Sequence, residues 1–346
     1  EQTYSPLRGA QMDILPVIDD AFLFSEKGKI VAFGSMSKLP ESFLRSADKV
    51  IDATGRMVLP AFCDCHTHLV YAGSREMEFI DKIRGLSYQE IAARGGGILN
   101  SARLLHDTSE EELFRQAMVR VEEVMHFGTG AIEIKSGYGL TTEDEVKMLR
   151  VIRRIAEESP LTVKATFMGA HAFPERFRDD HEGYVSEIIN EMIPAVAAEG
   201  LAEYIDVFCE EGFFSREESD RILAAGRKYG LKATVHANQM SCSGGVEVGV
   251  KYDAESVSHL EYAGDAQFEV LEKSETIANL LPGATFFLDM EYPDARRMLQ
   301  HDIPVALATN YNPGSCPCGD MKFIMALACM KMKMTPEEVI NAATIN

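Results

Sequence analysis

Met57-Val58-Leu59-Pro60-Ala61-Phe62-Cys63-Asp64-Cys65-His66-Thr67-His68 is an apolar run that ends in two histidines one residue apart. On an extended strand alternate side chains share a face, so the imidazoles of His66 and His68 can grip a single ion. The same pair is also compatible with two hydrogen-bonded structural histidines, so the rest of the chain has to decide.

Outward from this stretch the apolar runs recur at 57–63, 130–134, 162–168, 204–209, 231–236, 255–259, 276–281 and 303–309, which makes eight. Between them lie segments of helical periodicity, such as Glu110 to Ala117 and Glu143 to Ile152. Strand followed by helix, eight times over, predicts an α/β fold of the (β/α)8 TIM-like barrel type, with right-handed crossovers returning each strand parallel to the last. A doubly wound open sheet is the alternative. The barrel is favoured by the polar residues at the run ends, because barrel enzymes carry their chemistry there. Those ends read His66 and His68, then Glu133 to Tyr138, His171, Glu210, His236, His259, Pro282-Gly283, and Asn310 with Asn312. Histidines at four such positions on one rim point to a metal centre. His106, His126, His181 and His301 fall in helices or loops and read as solvated. Before residue 57 the pattern changes to short apolar runs and Gly turns (Ala21 to Phe24, Lys29 to Phe33), so 1–56 is expected to be a β-rich segment of a small domain and 57–346 the barrel.

Composition narrows the function. Lys and Arg number 34 against 54 Asp and Glu, a formal charge of -20, which repels phosphate backbones and anionic lipid. Nucleic acid and membrane partners are therefore disfavoured, and an anionic substrate needs a local cation. No apolar stretch is long enough to span a bilayer, and the start, Glu1-Gln2-Thr3-Tyr4-Ser5, has no basic segment followed by an apolar one. The seven cysteines are odd in number and fit a reducing cytoplasm better than a disulfide framework; Cys63-x-Cys65 and Cys316-x-Cys318 lack the spacing of common zinc knuckles.

A hydrolytic metal centre needs a few ligands, an open position for water and a group that moves protons. His66, His68 and His236 could supply three nitrogens, and His259 could stabilise an oxyanion or shuttle a proton. Phe62 to His68, His236 and Ala308-Thr309-Asn310 resemble the metal motifs of the amidohydrolase superfamily. His66 to Glu76, Gly95-Gly96-Gly97-Ile98, Lys135 to Leu140, Met168-Gly169-Ala170-His171 and Asn312-Pro313-Gly314-Ser315 are similar, more narrowly, to the imidazolonepropionase family of histidine degradation. The resemblance implies an amidohydrolase-type barrel with a small β-sandwich domain, one Zn²⁺ or iron ion, a small anionic imidazolone substrate and a homodimer. It implies His66, His68, His236 and position 310 as ligands, His259, Asn310 and Gln239 as the catalytic positions, and Arg75, Tyr138, His171, Gln239, Asn312, Gly314 and Ser315 around the substrate. Chemistry agrees on Arg75, whose guanidinium fork suits a propionate, although pairing with Glu76 or Glu78 is its plainer use. Tyr138 could likewise be a packing tyrosine.

Two departures stand out. The superfamily carries Asp where this chain has Asn310, and relatives often carry His-Ala-Asp-Glu where it reads His236-Ala237-Asn238-Gln239. Neither amide can act as a base. The family also continues past the position of Asn346 into returning strands that complete the small domain, so the chain is expected to stop before them. Three readings follow: an imidazolonepropionase, another cyclic-amide hydrolase or deaminase of the superfamily, or a catalytically impaired binding form.

Overall fold

The computed structural model describes residues 5–86 and 96–346; Glu1 to Tyr4 and Gly95 lie outside the described residues. The chain divides into two compact units, Ile14–Pro60 by itself, and Glu1–Asp13 together with Ala61–Asn346. The smaller unit holds an antiparallel pair, β1 (Ala21–Glu26) and β2 (Lys29–Ser35), joined at Lys27-Gly28, and the ring of Phe24 stacks on Phe43 at 4.3 Å.

In the larger unit eight strands run parallel in one sheet, in sequence order: β3 (Phe62–Thr67), β4 (Thr129–Lys135), β5 (Thr162–Ala170), β6 (Tyr204–Cys209), β7 (Lys232–Ala237), β8 (Ser256–His259), β9 (Ile277–Leu280) and β10 (Val305–Leu307). The sheet returns on itself just past β10, where Thr67 bridges Tyr311 in parallel, Asn310 N–H donates to the His66 carbonyl (3.0 Å) and His68 N–H to that of Tyr311 (2.9 Å). Asp64, on the first barrel strand, accepts from the Thr309 amide at 3.0 Å across the same seam. Eight parallel strands with intervening helices thus form the nearly closed barrel that the periodicity predicts.

Seven of the eight predicted runs coincide with strands, and the first is displaced. Met57, Val58 and Leu59 are exposed and belong to the smaller unit, and the strand begins at Phe62, whose N–H reaches the Gly128 carbonyl. Pro60 cannot donate to a ladder, which accounts for the late start. The pairing therefore carries His66 inside the strand, with His68 just beyond it.

Side-chain caps start the helices: Ser109 before Glu110–Phe127, Thr141 before Thr142–Glu158, and Ser215 with Glu218 as a capping box before Arg216–Lys228. Their apolar faces (Val121, Leu149, Ile152, Ile222) pack on fully buried strand residues such as Ile134, Phe167, Val207 and Val235 in one continuous core. Among the described residues no helix is long and apolar enough to cross a membrane.

Candidate metal centre and substrate pocket

The strand ends bring five histidines together. His66 and His236 have ring centroids 4.5 Å apart, His236 and His259 5.3 Å, and His68 stacks on His171 at 5.0 Å. Among the described residues, His66, His236 and His259 each offer a nitrogen within 4.8 Å of the other two. His68 stands beside this trio, its Nε2 3.3 Å from Nε2 of His236. So the trio in mutual reach contains His259, while the resemblance nominates His66, His68, His236 and Asn310. Asn310 lines the same cavity as His68, His236 and His259. The rim backbone is unusual: His259 and Leu260 hold φ of 83° and 70°, and Asn238 and Asn310 lie near 55°. Asn tolerates the left-handed region; two consecutive branched or ring side chains there are held by their surroundings.

Protonation follows from the neighbours. Asp206 of β6, fully buried, accepts from Nδ1–H of His236 at 2.8 Å and from its backbone N–H at 3.2 Å. Burial opposes the Asp206 charge, but His236 and Lys135 outweigh it and hold the carboxyl well below its usual range. An ionised acceptor at Nδ1 leaves the Nε2 lone pair of His236 facing the cluster. Burial lowers the His236 pKa to about 4 and that of His171 to about 3, so both are neutral at pH 7. His66 and His68 are held well below the usual range by burial, assisted by Lys135 in the first case and His171 in the second. His171 directs Nδ1 at the Gly137 carbonyl (2.8 Å), which can only accept; its Nε2 is therefore an acceptor.

The fit to a metal ion can be tested on unpartnered atoms. Nδ1 of His66 meets Ser258 Oγ at 2.9 Å, yet its Nε2 has no hydrogen-bond partner, and the same holds for Nδ1 of His68, Oδ1 of Asn310 and Nδ1 of His259, which lies 3.7 Å from the Glu261 carboxylate; all are buried. Buried polar atoms without partners are rare, and neutral imidazoles with an amide oxygen are a donor set for a divalent ion. The residues present fit the group.

Around the cluster the cavity is lined by Arg75, Ile98, Tyr138, His171, Phe208, Gln239, Asn312 and Ser315. Arg75 is buried and pairs with the partly buried Glu78 (Nη2 to Oε2, 2.6 Å), so the ion pair expected as its plainer use is formed by a residue that also lines the pocket. Glu78 is held in turn by the Gly97 amide at 3.1 Å and Asn100 at 3.3 Å. Gly314 lies outside the lining, but a Cβ there would collide with the Arg75 guanidinium, so the glycine keeps room for it. Asn312 builds the loop: its Oδ1 accepts from the amides of Gly314 (2.8 Å) and Ser315 (2.7 Å), and its amide donates to the Asn310 carbonyl. Tyr138 sits on a loop fastened by Glu145, whose buried carboxylate accepts the amides of Gly137, Gly139 and Leu140 at 2.7 to 2.9 Å.

Of the histidines read as solvated, His106, His126 and His181 are exposed, the last with one face stacked on Phe173 at 3.6 Å, and only His301 is half-buried, against Phe268. Asp206, Ser258 and the lining residue Phe208 were not singled out in the sequence, whereas the lining residue Ile98 closes the Gly95 to Ile98 motif. An acid in the midst of the apolar Tyr204-Ile205-Asp206-Val207-Phe208 was the available signal, since buried charges are kept only with partners.

The barrel with histidines along one rim has the fold of solved proteins such as the E. coli guanine deaminase, which superposes with a TM-score of 0.70 at 13% identity, covering 99% of this chain and 82% of that one. No family model matches. Among curated proteins, the imidazolonepropionase of Flavobacterium johnsoniae is 54% identical over 346 residues, all of this chain and 84% of that protein. That of Thermoanaerobacter pseudethanolicus is 40% identical over 351 residues, with 83% of its length covered. The chain belongs to the imidazolonepropionase family, hydrolases acting on a C–N bond of a cyclic amide.

Proposed function

We propose that the chain opens 4-imidazolone-5-propanoate to N-formimidoyl-L-glutamate, with one Zn²⁺ or iron ion held by His66, His68, His236 and Asn310. One observation carries this reading: a single cavity joins the histidine cluster to the buried guanidinium of Arg75. When bound, the ion would polarise the lactam carbonyl and acidify water. Arg75, whose Nε and Nη2 hold Glu78, takes the propionate with its remaining N–H groups and supplies a local cation in a chain of charge -20. His171 accepts a ring N–H at Nε2, Tyr138 donates from its phenol, and Gln239 and Ser315 orient the ring. Water adds to the lactam carbonyl carbon, the ring C–N bond breaks, and the departing nitrogen gains a proton. His259 moves that proton and stabilises the oxyanion, because neither Asn310 nor Gln239 has a basic site.

The amide at 310 favours a second reading, a form that binds metal and substrate but turns over slowly. The loss of imidazolonepropionate absorbance, followed alongside metal analysis of the same sample, separates the two. Turnover by metal-loaded protein supports the hydrolase; loaded protein without turnover, restored by Asn310→Asp, selects the impaired form. The seven free cysteines support a cytoplasmic location, and the family resemblance supports a homodimer.

A further inference from the structure

Lys135 ends β4 with 1% of its side chain exposed, next to fully buried Ile134. Burying an ammonium is costly unless partners compensate it, and a barrel that only needed filling there would carry an aliphatic residue. Its partners are two acids: Nζ lies 2.9 Å from Glu133 Oε1 and 2.9 Å from Asp206 Oδ2. Each acid leads to a different part of the metal centre. Asp206, whose Oδ2 also accepts from Thr234 at 2.7 Å, turns its Oδ1 to Nδ1–H of His236. Glu133 receives the Thr67 amide at Oε2 (3.3 Å) and the Thr67 hydroxyl at its carbonyl (2.7 Å), and Thr67 is the residue between His66 and His68.

We infer that Lys135 is the positioning residue of the centre. It fixes Asp206 as an acceptor, so that His236 presents Nε2 as a lone pair, and it anchors Glu133 under the backbone that aims His66 and His68. Two ligand groups from strands far apart in the barrel are thereby held by one ammonium. The assignment rests on the proposed metal reading, yet its tautomer component exists without any ion.

The test uses metal-free protein, with ¹⁵N NMR of the imidazoles to read the His236 tautomer, and Zn²⁺ affinity by competition with a chelator. Wild type is expected to show His236 as the Nδ1–H tautomer; an Nε2–H tautomer overturns the inference without any variant. Lys135→Met is expected to mix the tautomers and weaken Zn²⁺ binding roughly 10- to 100-fold, the range for lost outer partners of a metal ligand, with the circular dichroism unchanged. A folded Lys135→Met with wild-type tautomer and affinity overturns it. If Lys135→Met does not fold, Lys135→Arg carries the test: the restored charge must restore the Nδ1–H tautomer, and a folded Arg variant with mixed tautomers overturns the inference. Wild type that shows the expected tautomer but takes up no Zn²⁺ rejects the metal reading alone.

Discussion

At the scale of residues, the two amides at the rim carry the sharpest consequence. Asn310 holds its Oδ1 buried and unpartnered in the site where a carboxylate would both ligate and accept a proton. Asn310→Asp is therefore expected to tighten metal binding and raise kcat by roughly 10²- to 10⁴-fold, the usual contribution of a positioned base; unchanged kcat in metal-saturated protein would show that position 310 does not limit the reaction. Arg75→Ala should raise KM for the anionic substrate roughly 10- to 100-fold through loss of charge-assisted hydrogen bonds. Gly314→Ala should move KM in the same direction, because its methyl group displaces the guanidinium, and a KM effect in only the first variant would mean that Arg75 has room to move aside. Both residues were legible as motif members. Asp206 as the partner of His236 was not, because a contact between residues 30 apart in sequence leaves no local periodicity.

Among the elements, the strand-and-helix rhythm is legible in the apolar runs and in the helical periodicity between them, and the structure adds the caps that start the helices, such as Ser215 with Glu218. The exception, the first run, shows what periodicity misses: Pro60 and the division of the chain after it decide where β3 begins, and neither changes the hydropathy of Met57 to Leu59. The loop after β4 is built differently from the strands. Glu145, raised above the usual carboxylate range by burial, satisfies three amides of that loop from the first turn of the next helix. Glu145→Gln leaves only one oxygen for three donors and should cost about 3 kcal/mol, the scale of losing charge-assisted bonds in a buried place. Urea unfolding measures this, and a loss below about 0.5 kcal/mol, the level of ordinary surface substitutions, would mean that the loop satisfies its amides otherwise.

For the whole molecule, acid should act through the buried imidazoles. His171 and His236 have folded pKa values of about 3 and about 4 against 6.5 when unfolded, so below pH 6.5 the unfolded chain binds protons that the folded chain refuses. Their contribution is whole above 6.5 and is lost as the pH falls towards 4, at about 1.4 kcal/mol per pH unit for each group. Thermal melting of chelator-treated protein between pH 7.5 and 4.5 checks the slope, and a flat profile would mean that these histidines take up protons in the folded state. The architecture at this scale was open to reading because a barrel repeats one unit eight times; which imidazole nitrogens come within mutual reach was not, since it depends on side-chain placement across strands far apart in sequence. The seam adds a consequence in time. The Thr67–Tyr311 bridge joins the first barrel strand to a segment almost 250 residues later, so a chain emerging from the ribosome has His66 and His68 long before Asn310. Such distant pairings form late in folding. Metal capture in refolding protein should therefore lag the growth of helical signal and report the moment at which the ring closes.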